Sequence, residues 1–147
     1  MKLLKLYSWI VGSLADFTRP FRENEAQYKQ AKEFWMKLEN NSILIFMICI
    51  VLGVLFSAFY YTSYNSKPGR HYTLGHWIGF LFVTFAVSFL VTLGVEYLLA
   101  EPKINGAWSL EIKIALGNAI YASIFYFVTS VVWCNIGPTN ACRIFKF

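Results

Sequence analysis

Three stretches of the chain run for 19 to 21 residues without a charge: 43–61 (ILIFMICIVLGVLFSAFYY), 77–95 (WIGFLFVTFAVSFLVTLGV) and 114–134 (IALGNAIYASIFYFVTSVVWC). At a helical rise of about 1.5 Å per residue each matches a hydrocarbon core of roughly 30 Å. Helices buried in a water-soluble domain are shorter and carry polar positions on one face. The pattern therefore predicts an all-α membrane protein with three transmembrane helices, occupying 41–134. A polar tail, 135–147, follows.

The first 40 residues read differently. They hold seven of the thirteen Lys and Arg and five of the eight acids. Over 1–17 (MKLLKLYSWIVGSLADF) a basic start and an apolar middle resemble a secretory signal in form, but Lys5 interrupts the apolar stretch. An interfacial helix is the reading adopted, with Lys2, Lys5, Ser13 and Asp16 toward water. Pro20 ends it, because proline disfavours helix at the residue before it. Over 21–40 the recurrence of Tyr28, Ala31, Trp35 and Leu38 at three- and four-residue steps predicts an amphipathic helix. Glu25 with Lys29 and Glu33 with Lys37 add i,i+4 pairs worth only about 0.2–0.5 kcal/mol each. Tyr28, Trp35 and Leu38 are the candidate partner surface of this region.

Composition sharpens the class. Hydrophobic residues make up 57% of the chain and charged residues 14%, against about 45–50% and 25% in soluble domains. Mean hydropathy is +0.49. There is too little charge to coat a water-facing surface, so the localisation expected is integral and multi-pass. Lys and Arg set the orientation: with the N-terminus inside, nine basic residues lie in the cytoplasm, and Lys67, Arg70, Arg143 and Lys146 lie outside. The C-terminus is then extracytoplasmic. Tyr60, Tyr61, Tyr64, Tyr72, Trp77 and Trp133 are expected in one interfacial aromatic belt, and Trp35, Tyr97 and Trp108 in the other. The net charge of +5 suits anionic lipid. No basic cluster with interleaved aromatics points to nucleic acid.

Candidate chemistry is sparse. Glu96 stands at the end of the second run, with Lys113 and Asn118 opening the third at similar depth. Either a polar contact joins them, or Glu96 reaches the headgroups. Ala115, Ala119 and Ser123 at four-residue spacing, and Gly75 with Gly79, are candidate helix-packing positions, because small residues let backbones approach in lipid. Thr84, Ser88 and Thr92 align at i,i+4 and form a stripe that could line a pore or a dry helix interface. Cys134 and Cys142 lie close enough in sequence for a disulfide on the extracytoplasmic side, with free thiols as the alternative. His71 and His76 share that side, but the spacing is not that of a zinc finger. Ser109 is a possible N-cap before the third helix. The sequence contains no Walker loop, nucleophile elbow, zincin motif or paired catalytic carboxylates.

No enzyme activity, cofactor or small-molecule substrate is therefore expected. The expected function is that of a non-catalytic binding or scaffold subunit of a larger membrane complex. Its partners would be membrane lipid and other membrane subunits or copies of itself. The alternative is a self-associating, holin-like pore.

Overall fold

The structure, a computed structural model, describes residues 3–65, 73–99, 104, 106 and 108–136. These residues are predominantly helical, with no strand among them. Two compact units divide the chain: Met1–Met47 with Phe89–Asn118, and Ile48–Ser88 with Ala119–Phe147.

The first unit opens with a 3₁₀ turn, Leu3–Tyr7, followed by α1 (Ser8–Val11) and α2 (Leu14–Thr18). The single interfacial helix expected over 1–17 is thus broken in its middle. The break follows from Gly12, which adopts φ +78°, a left-handed value that a side chain would disfavour. Ser13 is then extended and caps α2 by accepting from the Asp16 amide, while Asp16 Oδ2 accepts from the Ser13 amide at 3.1 Å. This reciprocal pair satisfies two orphan donors of a helix start. The Ser13 hydroxyl and amide, with the charge of Arg19 behind them, hold the exposed Asp16 carboxyl below its ordinary range.

Pro20 sits in a second 3₁₀ turn, Arg19–Phe21, and α3 (Glu25–Asn40) begins four residues later than the amphipathic pattern alone suggests. Its start is fixed by Asn24, whose side chain accepts from the Ala26 and Gln27 amides. The inward face of α3 is Ala31, Phe34, Trp35 and Leu38. The Phe17 ring packs against Phe34 and Trp35 at centroid distances of 6.2 and 5.7 Å.

Only Asn41 separates α3 from α4 (Ser42–Phe59). Its side chain and backbone amides both donate to the Lys37 carbonyl, and its own carbonyl accepts from Ile45. A π-helical turn, Tyr60–Tyr64, extends α4. Tyr60 and Tyr61 at its start are both buried. The remaining helices are α5 (Leu74–Leu99) and α6 (Trp108–Ile136). α4 with its π turn, α5 and α6 are all long and apolar enough to cross a membrane, at 23, 26 and 29 residues. They outrun the uncharged runs because hydropathy marks where lipid is tolerated, whereas His76, Glu96, Ser109 and Glu111 fit a helix equally well. Ser109 accordingly lies inside α6 rather than capping it, its hydroxyl donating to the Gly106 carbonyl at 3.3 Å.

Along α5 the buried positions are Trp77, Thr84, Ser88, Thr92 and Glu96, every one of them bearing a polar group. The exposed positions include Ile78, Phe82, Val83, Leu90, Val91 and Leu98. This inverts the distribution of a water-soluble helix, and only 17% of its most apolar window is buried within the protein.

Candidate functional site

The polar interior of the first unit is built around Asn118. α6 holds this side chain fully buried, where each of its polar atoms needs a partner. Its Nδ2 donates to the Ile45 carbonyl at 2.8 Å and to Thr92 Oγ1 at 2.7 Å, and its Oδ1 accepts from the Tyr7 hydroxyl at 2.8 Å. One amide therefore ties together α4, α5, α6 and the N-terminal 3₁₀ turn. The neighbouring Gly117 makes room for this: a Cβ there would lie 2.9 Å from Tyr7 Cδ1.

Glu96 follows Thr92 by one helical turn. It is 0% exposed, and neither carboxylate oxygen has a hydrogen-bond partner among the described residues. The acid that acts on it electrostatically is Glu111, itself buried in the first turn of α6. The contact expected from Glu96 to Lys113 or Asn118 is absent: Asn118 is fully committed elsewhere, and Lys113 is exposed. The alternative, a Glu96 that reaches the surface, fails as well, because the side chain is enclosed.

In the second unit the hydroxyl network centres on Ser130. It lies 3.3 Å from the Ser57 hydroxyl, accepts from Trp77 Nε1 at 3.2 Å, and donates to the Tyr126 carbonyl at 2.8 Å. The Tyr126 hydroxyl donates to the Trp77 carbonyl at 3.4 Å, and the Tyr61 hydroxyl lies 3.6 Å from Cys134 Sγ. Tyr60, Tyr61 and Trp77, expected in an interfacial belt, are thus part of a buried aromatic core. Of the other set, Tyr97 and Trp108 are exposed with their rings 6.2 Å apart, whereas Trp35 is buried.

Thr84, Ser88 and Thr92 are all 0% exposed. The Thr84 hydroxyl donates back to the Phe80 carbonyl at 2.8 Å, and Thr92 accepts from Asn118. The Ser88 hydroxyl has no partner among the described residues. The stripe faces the chain's own interior.

The small-residue positions divide. Ala115 and Ala119 are fully buried, as packing requires, while Ser123 is half-buried and donates to the Ala119 carbonyl at 3.0 Å. Gly75 and Gly79 pack against nothing within the chain: a Cβ at either would meet no described residue within 4 Å, so any close approach there would be to another chain. The glycine of close approach is Gly53, where a Cβ would stand 2.6 Å from the Ala122 carbonyl oxygen and 2.7 Å from Phe125 Cβ.

The partner surface is corrected too. Trp35 and Leu38 are buried inside the first unit, and Tyr28 alone of the three remains open at 37% exposure. Of the cysteines, Cys49 is a buried free thiol. Cys134 is disulfide-bonded, as its expected pairing requires, whereas Cys142 and His71 themselves lie outside the described residues. No group of three or more His, Cys, Asp or Glu suited to a metal gathers among the described residues.

Tyr7, Gly53, Ser57 and Ser130 carry much of the interior chemistry; by sequence Ser57 and Ser130 are merely two of the hydroxyls scattered through the apolar runs, and Tyr7 and Gly53 are not singled out. Gly53 had a signal, a lone glycine within an apolar run. Tyr7 had none, since its partner lies 111 positions away. Compared with known proteins, the chain matches no family model, no curated protein and no solved structure.

Proposed function

We propose that this chain is a non-catalytic binding and scaffold subunit of a larger membrane complex, with the exposed apolar side of α5 as its principal contact surface. The observation that carries the reading is the inversion along α5. Phe82 at 68%, Leu90 at 64% and Leu98 at 78% exposure offer large side chains for packing against a neighbouring transmembrane helix. The α3 face is spent on internal packing, so the intramembrane face takes the role first expected of α3. The pore alternative has less support, because a pore between copies needs a polar stripe on the outer surface, and Thr84, Ser88 and Thr92 are turned inward.

Gentle detergent extraction followed by native mass spectrometry tests this. A complex of fixed stoichiometry with a larger membrane protein is expected, and a photocrosslinker at Phe82 or Leu98 should join this chain to that same protein. A bare monomer, or a ring of identical chains, would overturn the proposal.

In this reading the N-terminus is cytoplasmic and the C-terminus extracytoplasmic, on the distribution of Lys and Arg. In a cysteine-free background, an impermeant thiol reagent added to whole cells should label a cysteine at Ser66 and spare one at Ser109. The reverse pattern inverts the topology.

A further inference from the structure

A cavity of about 360 Å³ lies within the first unit. Its walls are apolar, with Val11, Phe17 and Phe21 from the N-terminal segment and Leu110 from α6, and two opposite charges line it, Asp16 and Lys113. That volume is at the lower end of small-ligand sites. Asp16 spends Oδ2 on Ser13, and Oδ1 accepts no hydrogen bond among the described residues. No ion pair engages the exposed Lys113 ammonium among those residues either. The cavity also meets the first turn of α6, through Leu110, where the helix dipole favours a negative group.

We infer that this cavity binds the headgroup of an aminophospholipid of the phosphatidylethanolamine type, with the phosphodiester on Lys113 and the primary ammonium on Asp16. A zwitterion matches two charges of opposite sign, of which an anionic ligand would leave one unpaired and a purely apolar ligand both. A primary ammonium has N–H donors for the free Asp16 oxygen, and a quaternary one has none. Apolar ground for the acyl chains is present on α6, where Trp108 and Ile112 are exposed. The Ser13 contacts that fix the Asp16 carboxylate also keep it charged at neutral pH.

Native mass spectrometry of the full chain in detergent, titrated separately with phosphatidylethanolamine, phosphatidylcholine and phosphatidylglycerol of matched acyl chains, tests the site. A charge-assisted hydrogen bond is worth about tenfold in affinity, so phosphatidylethanolamine should bind about tenfold tighter than the other two. Asp16→Asn keeps a side-chain acceptor for the Ser13 cap while removing the charge, and should erase the preference over phosphatidylglycerol. Lys113→Met should weaken all three lipids about tenfold. Equal binding of the three lipids by the parent chain, or a preference that survives both substitutions, would overturn the inference. The parent measurement needs no variant, and Lys113 is exposed, so the result does not hinge on the folding of the Asp16 variant.

Discussion

Gly53→Ala is expected to destabilise the protein where Gly79→Ala does not. A methyl group at position 53 would stand 2.6 Å from the Ala122 carbonyl oxygen and 3.1 Å from the Tyr126 amide nitrogen. Both are backbone atoms of a continuous helix and cannot swing aside as a side-chain tip would. Overpacking of this kind costs about 1–3 kcal/mol, against which alanine's better helix preference returns at most about 1 kcal/mol. Gly53→Leu removes the remaining ambiguity, since no rotamer relieves a clash at Cβ. At position 79 the added methyl meets no described residue within 4 Å, so only the helix-preference gain applies. Thermal unfolding in detergent followed by circular dichroism is the check. A Gly53→Ala variant melting with the parent would mean that α4 and α6 do not approach as closely as the structure places them.

Asn118→Ala has the other large expected effect, a loss of about 2–3 kcal/mol. Three hydrogen bonds disappear together, each worth about 0.5–1.5 kcal/mol in general and about 0.6 kcal/mol on average within membranes, and the smaller side chain leaves a void. Tyr7→Phe removes only one of the three and should cost about 0.6–1 kcal/mol. The double variant should cost no more than Asn118→Ala alone plus a few tenths, because the Tyr7 bond is already gone. Fully additive losses in a double-mutant cycle would show that the two residues do not meet. Hydrogen exchange offers an independent reading: losing the amide should speed exchange in the Leu3–Val11 segment.

Sequence made the class of the fold legible because membrane-length apolar runs are a local property. The three long helices fall where the runs at 43–61, 77–95 and 114–134 placed them, with ends displaced into flanking polar residues that a helix tolerates. What sequence could not supply was direction. The Thr84, Ser88 and Thr92 alignment is visible in one dimension, but whether it faces inward or toward another chain depends on which side of α5 finds neighbours. The same holds for Trp35 and Leu38, whose periodicity marks one helix face without saying that Phe17 and its neighbours already cover it. Glu96 illustrates a different limit. Depth along the helices suggested Lys113 and Asn118 as its partners, but Asn118 serves Tyr7, a residue in a segment read as interfacial. The break at Gly12 was readable in principle, since Ser13 and Asp16 at three-residue spacing are the elements of a capping box.

The inverted character of α5 bears on how such a chain can change over time. Its outward apolar positions, Phe82, Leu90 and Leu98 among them, make no demand on this chain's own interior, so they are free to change with whatever helix they come to contact. The instructions for assembly are concentrated instead in a few small or hydrogen-bonding positions, among them Gly53, Ser57, Thr92, Asn118 and Ser130. Two descendants of one ancestor could therefore replace most of the letters in these helices and still build the same interior. In a search for kin, the spacing of those few inward residues would be a better guide than overall identity.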